Sequence, residues 1–172
     1  LLKKLTKTIE HRGPDQEGYY SDKNCSLGHR RLSIIDLSEK GRQPIHNEEE
    51  DICITFNGEI YNFQEQKIEL EKKGHSFYTN TDTEVIIHAY EEYGTDCVKK
   101  LNGMFAFAIW DSKKEILFLS RDRIGEKPLY YFYNQKIFIF SSELKSLLKS
   151  PLVNKNINKQ ALDNYLNLRF VP

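Results

Sequence analysis

A chain of 172 residues with 39% hydrophobic and 12% aromatic side chains is long enough to bury one substantial core and too apolar to be disordered. Its 25 basic and 25 acidic side chains cancel, which argues against a generally basic nucleic-acid-binding protein. The longest apolar run, Met104 to Trp110, is far too short to span a bilayer. The cysteines, Cys25, Cys53 and Cys97, are odd in number and form no Cys-x-x-Cys pair, which favours a reducing, cytoplasmic location.

Both ends of the sequence suggest that it belongs to a longer polypeptide. It starts at Leu1 without an initiator methionine and stops at Pro172, just after a helical pattern. We therefore interpret residues 1–172 as one domain excerpted from a longer chain, and this start leaves a signal peptide open.

The first half of the chain mixes helical and strand periodicity. The predicted elements are, in order, a helix over 1–10, strands at 18–21 and 25–35, a central strand at 52–56 and a helix over 59–73. Asn57-Gly58 predicts a turn at the end of the central strand. Gly74 is a standard signal for the end of the helix that follows.

The second half begins with helices and continues with strands. We predict a short strand at 76–79, a helix that starts with a capping box at Thr81–Glu84 and runs to Gly94, a short helix at 97–101, strands at 104–110, 116–120, 129–133 and 137–141, and helices at 143–148 and 158–166. The near-continuous apolar strand 104–110 implies a sheet covered on both faces. The pattern therefore predicts a layered α+β sandwich.

Three polar groups at predicted strand or helix ends could carry chemistry. Asn57 and Gly58 offer a side-chain amide and an approachable backbone N–H, which together suit a developing negative charge. Arg31 can grip a carboxylate with two parallel hydrogen bonds, and Asp82 can hold an ammonium group. Taken singly, each has a plain structural reading as a turn, a surface ion pair or a helix-end charge.

Other common sites are not indicated by the sequence. The five histidines show no metal-ligand spacing, and the acidic run Glu48–Asp51 is typical of a solvated turn. There is no phosphate-binding loop and no Gly-x-Ser-x-Gly elbow. The sequence thus predicts no metal and no cofactor for this domain.

Six motifs in order carry a resemblance to a known family. They are His11-Arg12-Gly13-Pro14-Asp15, His29 to Asp36, Asn57-Gly58-Glu59-Ile60-Tyr61-Asn62, Asp82-Thr83-Glu84, Gly103 to Ala108, and Arg121-Asp122-Arg123 followed by Lys127-Pro128-Leu129-Tyr130-Tyr131. Together they resemble the glutamine amidotransferase domain of glutamine-hydrolysing asparagine synthetases, a class II member of the N-terminal nucleophile hydrolases.

The resemblance implies a four-layer αββα sandwich that here lacks its first strand. It implies that the segment Arg31, Leu32, Ser33, Ile34, Ile35 lines a pocket for L-glutamine, with Arg31 on the α-carboxylate. By the same match, Asn57 and Gly58 form the oxyanion hole, Glu59 borders the substrate, and Asp82 holds the α-ammonium group.

The resemblance also implies parts outside this sequence. The family's nucleophile is a cysteine at the mature N-terminus, whose own amino group acts as the base; the pattern places it before Leu1, so we expect this fragment alone to be inactive. A synthetase domain using ATP and magnesium to amidate aspartate would follow Pro172. The implied partners are therefore L-glutamine and that domain, with no nucleic acid or membrane, and a homodimer is left open.

Two alternatives stand beside the asparagine synthetase reading. Glu126 occupies a position where asparagine synthetases often have a hydrophobic residue, so the acceptor could be a different carboxylate. The second alternative is a non-catalytic module of the same fold that regulates activity or mediates dimerisation, which the expected lack of the cysteine motivates.

Overall fold

The structure is a computed structural model that describes residues 1–171. Its helices are α1 (Leu2–Lys7), α2 (Phe63–Lys72), α3 (Asp82–Tyr93), α4 (Leu144–Leu148) and α5 (Lys159–Leu168). Its strands are β1 (Gln16–Ser21), β2 (Ser26–Arg31), β3 (Ile45–His46), β4 (Ile52–Ile60), β5 (Gly103–Asp111), β6 (Ile116–Arg121), β7 (Tyr130–Tyr133) and β8 (Phe138–Ser141). Short 3-10 helices lie at Glu10–Arg12, Glu39–Gly41 and Gly94–Lys99.

The strands form two sheet layers, and all their pairings are antiparallel. One layer is the four-stranded sheet β3-β4-β5-β6, and the other holds the separate pairs β1-β2 and β7-β8. Helices α2 and α3 cover the outer face of the four-stranded sheet, while α1 packs on β2 and α4 packs on β7 and β8. The predicted four-layer αββα arrangement is therefore confirmed.

The alternating side chains of β4 explain why this strand is central. Ile54 and Phe56 point toward α3 and belong to the main apolar core. Cys53 points the other way and packs with Leu27 and Trp110 between the two sheet layers. Because both faces of the strand are buried, its side chains on both faces are fixed by packing.

The prediction that β4 ends at Asn57-Gly58 is wrong. Both residues pair within the sheet, opposite Ala106 and Phe105 of β5, and the strand continues to Ile60. A Cβ atom on Gly58 would lie 2.7 Å from the Phe105 Cα, so glycine is needed here for close strand packing rather than for a turn. The helix that follows the strand begins at Phe63 instead of residue 59.

Four other predicted elements differ from the structure. The segment 76–79 is not a strand, because the N–H groups of Tyr78 and Thr79 bond to the Glu84 carboxylate instead of to another strand. The extended segment 25–35 is a strand only over Ser26–Arg31. The predicted helices at 1–10 and 97–101 are a shorter helix, α1, and the 3-10 turn Gly94–Lys99.

The remaining predictions agree closely with the structure. Thr81 caps α3 by accepting the N–H of Glu84, although Glu84 does not return the bond as a full capping box would. Asn158 caps α5 in the same way through Ala161. Across residues 1–171, no helix has both the length and the apolar character needed to cross a bilayer.

Candidate functional site

A cavity of about 1130 Å³ opens between the two sheet layers. It extends through the gap between the pairs β1-β2 and β7-β8 as far as α1 and α4. The predicted site residues line it, with the exception of Ser33; those lining it are Arg31, Leu32, Ile34, Ile35, Asn57, Gly58, Glu59 and Asp82. The fold thus gathers side chains from β2, β4 and the start of α3 around one space.

One edge of β4 borders this cavity. The N–H groups along this edge donate hydrogen bonds to other residues, with one exception. Phe56 N–H donates to Gln43 Oε1 at 2.7 Å, and Ile60 N–H donates to Asp82 Oδ2 at 3.0 Å. Gly58 lies between them, on the same side of the strand. Its opposite residue, Phe105, uses its own N–H and carbonyl on Asp122. Within residues 1–171, the Gly58 N–H has neither a strand partner nor a side-chain acceptor.

The Asn57 side chain supplies a second unpaired donor. Its Nδ2 is buried, and among the residues described it has no hydrogen-bond partner. A buried amide left unpaired costs roughly 1–3 kcal/mol, so such a group calls for an explanation. A ligand oxygen placed near Asn57 and Gly58 would satisfy both orphan donors, as an oxyanion does in acyl transfer.

Asp82 is the buried carboxylate of the cavity, with 5% of its surface exposed. Burial raises the pKa of its carboxyl to about 6, and the negative charge of Glu59 acts in the same direction, while bonds from backbone N–H groups such as that of Ile60 oppose the shift. No cation among the described residues pairs with Asp82. The site therefore favours a positively charged ligand group at this point.

Arg31 is buried and holds the loop that follows β2. Its Nη2 donates to the carbonyls of Ile35 (2.8 Å) and Asp36 (2.5 Å), and its Nη1 donates to Gln16 Oε1 (2.8 Å) and the Ser38 carbonyl (3.2 Å). This explains why the extended segment ends at Arg31, because the guanidinium folds residues 35–38 back onto itself. A carboxylate bound by Arg31 would have to compete with these carbonyls, and its role as a carboxylate ligand stays a prediction.

Leu32 and Ile34 in the same loop are largely exposed. The loop is fastened at two further points. Ser33 N–H donates to Asp15 Oδ2 at 2.8 Å, and Asn80 N–H donates to Asp36 Oδ2 at 3.1 Å. The second bond ties the loop to the segment that leads into α3 and Asp82.

His29 is a cavity residue to which the sequence analysis assigned no role of its own. It is partly buried, and burial lowers its pKa to about 4, so it is neutral. Its Nε2 lies 3.0 Å from the Phe56 carbonyl and donates to it, because a carbonyl can only accept. His29 therefore fixes the carbonyl side of the peptide group next to Asn57.

A second group that the sequence analysis missed lies under the start of α3. Glu84 is completely buried and accepts the N–H groups of Tyr78 (2.8 Å) and Thr79 (2.7 Å). His88 Nδ1 lies 2.7 Å from Glu91 Oε2, and its Nε2 lies 3.7 Å from Glu84 Oε1. His75 and His88 come close to Glu91 in space, although the spacing of the histidines in the sequence gave no such signal. The group holds the segment that leads into Asp82.

We expect His88 to make stability depend on pH. Burial alone would lower its pKa, but the carboxylates of Glu84 and Glu91 outweigh burial and raise it to about 9. Because this value lies above that of an unfolded histidine, the stabilisation is complete below about pH 6.5 and is lost as the pH rises through about 9. His88→Asn should lower the free energy of unfolding at pH 7 by about 3 kcal/mol and abolish this dependence in denaturant titrations.

The exposed His11, which pairs with Glu143 at the surface, provides the control. His11→Asn should change stability by less than about 1 kcal/mol. A His88→Asn variant as stable as the parent at pH 7 would contradict the assignment of a buried imidazolium.

Comparison with known proteins points to one family. The profile of the family described as "Glutamine amidotransferase domain" matches residues 1–172. A provisionally named glutamine-hydrolysing asparagine synthetase 2 of Methanocaldococcus jannaschii is 50% identical over 191 residues, which cover 99% of this chain and 36% of the relative. The glutamine-hydrolysing asparagine synthetase 1 of Bacillus subtilis is 46% identical over 172 residues, covering 100% of this chain and 27% of the relative. The chain thus spans about a third of these curated relatives, or less.

A solved structure supports the fold independently. The glutamine phosphoribosylpyrophosphate amidotransferase from Bacillus subtilis, complexed with ADP and GMP, superposes with a TM-score of 0.60 at 23% identity. The match covers 71% of this chain and 28% of that chain. At this identity the likeness shows the fold, which agrees with the αββα layering described above.

Proposed function

This chain belongs to the glutamine amidotransferase domain family, and from that membership we propose that it binds L-glutamine and releases its side-chain nitrogen as ammonia for the ATP-dependent amidation of aspartate to asparagine. The observation that carries the proposal is the pair of unpaired donors, Asn57 Nδ2 and Gly58 N–H, in one cavity with the uncompensated carboxylate of Asp82. The names of the two relatives support the choice of aspartate as the acceptor.

In this proposal glutamine lies across the cavity with its two ends recognised separately. The α-ammonium group neutralises Asp82, and Glu59 adds a second negative charge nearby. The side-chain carbonyl oxygen points to Asn57 and Gly58. Arg31 and its loop, including Leu32, Ser33, Ile34 and Ile35, close over the α-carboxylate end.

The reaction requires a nucleophile, which we place on a cysteine N-terminal to Leu1. Its thiolate attacks the amide carbon, the oxyanion forms between Asn57 and Gly58, and the proton taken up by the cysteine's amino group passes to the leaving nitrogen. Ammonia departs, and water then hydrolyses the thioester to glutamate. We place the strand that carries this cysteine in the gap between β2 and β8, where the cavity is lined by apolar side chains such as Leu2, Phe138 and Phe140.

We propose that ATP and magnesium bind to a synthetase domain beyond Pro172. No residue of this chain binds them in this scheme. That the relatives are about three times longer or more is consistent with such a domain. We further propose a cytoplasmic protein, in keeping with three cysteines that are all free thiols. We also propose that the full-length protein forms a homodimer.

The full-length protein should transfer nitrogen from glutamine labelled with ¹⁵N in its side-chain amide. With ATP, magnesium and aspartate present, we expect the label in the amide of asparagine, detected by mass spectrometry. Glutamate without labelled asparagine would support a glutaminase that serves a different carboxylate acceptor. If no glutamate forms, glutamine hydrolysis is refuted and the non-catalytic regulatory or dimerisation module takes its place.

A further inference from the structure

The side chain of Gln43 connects the two parts of the candidate site. It is 6% exposed and lines the cavity. Its Oε1 accepts the N–H of Phe56 at 2.7 Å, and its Nε2 donates to Thr83 Oγ1 at 3.3 Å. Phe56 immediately precedes Asn57 on β4, and Thr83 immediately follows Asp82 on α3. One amide group therefore spans from the strand that carries the orphan donors to the helix that carries the carboxylate.

The bond to Phe56 determines what the edge of β4 offers to a ligand. The N–H groups of Phe56, Gly58 and Ile60 point to the same side of the strand, since alternate residues of an antiparallel strand share a direction. Gln43 takes the first and Asp82 takes the third. The remaining N–H, that of Gly58, is presented alone and in a fixed position.

The two peptide groups that flank Phe56 are each held by a side chain. Gln43 accepts the Phe56 N–H, which belongs to the Thr55–Phe56 peptide, and His29 donates to the Phe56 carbonyl, which belongs to the Phe56–Asn57 peptide. Neither peptide plane can therefore tilt without breaking a hydrogen bond. The two oxyanion donors follow directly on the second plane, and preorganised donors are what lowers the barrier of acyl transfer.

We propose that Gln43 is a positioning residue of this site, which rests on the proposed glutaminase function. It does not touch the substrate. Through Phe56 it fixes the direction of the Asn57 and Gly58 donors, and through Thr83 it fixes their separation from Asp82. The first link acts on the chemical step, and the second acts on recognition of the amino-acid end of glutamine.

The two links can be separated by substitution in the full-length protein. Gln43→Met keeps the length of the side chain but removes both hydrogen bonds, whereas Thr83→Val removes only the link to α3. Gln43→Glu keeps an acceptor for Phe56 N–H and can accept the Thr83 hydroxyl proton. Gln66→Met is the matched control, because Gln66 is also buried but lies on α2 and does not line the cavity.

The measurement is glutamate release from L-glutamine, with kcat and KM determined separately and thermal melting recorded for each variant. Gln43→Met should lower kcat about tenfold, less than the loss of an oxyanion donor itself. Thr83→Val should raise KM about threefold, as expected for the loss of one hydrogen bond, with kcat nearly unchanged. Gln43→Glu should recover part of the kcat, because it keeps the acceptor for Phe56 N–H but adds a negative charge that opposes the oxyanion, and Gln66→Met should change neither constant.

A folded Gln43→Met variant with parental kcat would overturn the proposal, as would a Thr83→Val variant that loses kcat as strongly as Gln43→Met. If Gln43→Met does not fold, the other two variants test the proposal. Thr83→Val should raise KM with kcat nearly unchanged, and Gln43→Glu should keep part of the kcat. A parent protein that releases no glutamate would instead refute the proposed function, so the two failures are distinguishable.

Discussion

Replacing Asn57 by alanine in the full-length protein should lower kcat for glutamine hydrolysis about a hundredfold or more, with little change in KM. The Asn57 Nδ2 group is buried and unpaired in the ligand-free chain, so its hydrogen bond is available to the substrate oxygen. That oxygen carries most charge in the tetrahedral intermediate, and the bond is therefore strongest there. An interaction that is stronger in the transition state than in the ground state acts on kcat.

The folded state of the Asn57→Ala variant should be intact. Removing an unpaired buried amide also removes its desolvation cost, so we expect a melting temperature at or above that of the parent. Asn156→Ala, at an exposed position outside the cavity, serves as the matched control and should have parental kinetics. A near-normal kcat in Asn57→Ala would exclude Asn57 from the oxyanion hole.

Replacing Asp82 by asparagine should raise the KM for glutamine about fiftyfold, since a charge-assisted hydrogen bond contributes about 1.5–3 kcal/mol. Asparagine keeps an oxygen that can accept the N–H of Ile60, so the strand edge stays closed and only the charge is lost. Synthesis from free ammonia should survive, because it bypasses this cavity in the proposed scheme.

The same substitution should stabilise the ligand-free protein. The pKa of Asp82 in the folded chain is about 6, well above that of an unfolded aspartate. The folded state therefore loses stability as the pH rises from about 4 through about 6, where the buried carboxyl ionises. Asp82→Asn should recover about 2 kcal/mol at pH 7, measured as a higher melting temperature. Weaker glutamine binding combined with a more stable fold is characteristic of a binding-site residue.

The pH dependence of the KM for glutamine tests whether Asp82 itself binds the ammonium group. An incoming ammonium group binds only the ionised carboxylate, so the parent KM should rise about tenfold per pH unit below about pH 6. In Asp82→Asn this rise should be missing. A parent KM that is flat between pH 5 and 7 would show that the ammonium group of glutamine is held elsewhere.

Most residues of the candidate site could be predicted from the sequence motifs, because binding a carboxylate, an ammonium group or an oxyanion requires particular residue types. Arg31, Asn57 and Asp82 were singled out by what their side chains can bind, and the fold brings them to one cavity. Their binding roles remain predictions. The strands of the second half were also predictable, since long apolar runs bounded by turn residues have few alternatives.

The Asn57-Gly58 turn was mispredicted because the local signal and the tertiary partner disagree. Asn-Gly is a strong turn pair, yet the pairing with Ala106 and Phe105 overrides it. That pairing lies far along the chain, where no local pattern can reveal it. The roles of Gln43 and His29 could not be predicted for a related reason. Both bind backbone groups of Phe56, and every residue type offers the same backbone carbonyl, so the sequence does not indicate which backbone group a side chain will bind.

The group around His88 did leave a signal. Glu84 and Glu91 stand four residues before and three residues after His88, spacings that place side chains on one face of a helix. A helix predicted over this stretch was sufficient to expect the ion pairs. The burial of Glu84 and His88, however, follows from the packing of α3 on the sheet and could not be read from the spacing.

The occupied edge of β4 also bears on how the chain avoids self-association. An exposed strand edge with a row of free N–H groups is a template on which another chain can add a strand and begin aggregation. Here Ile52 N–H is taken by Asn47 and Ile54 pairs with Ile45, while Phe56 and Ile60 are taken by side chains. A foreign strand would find one free donor, the N–H of Gly58, and side chains in its way on either side. A single oxygen atom meets no such obstacle, so this edge admits a small ligand and excludes a peptide.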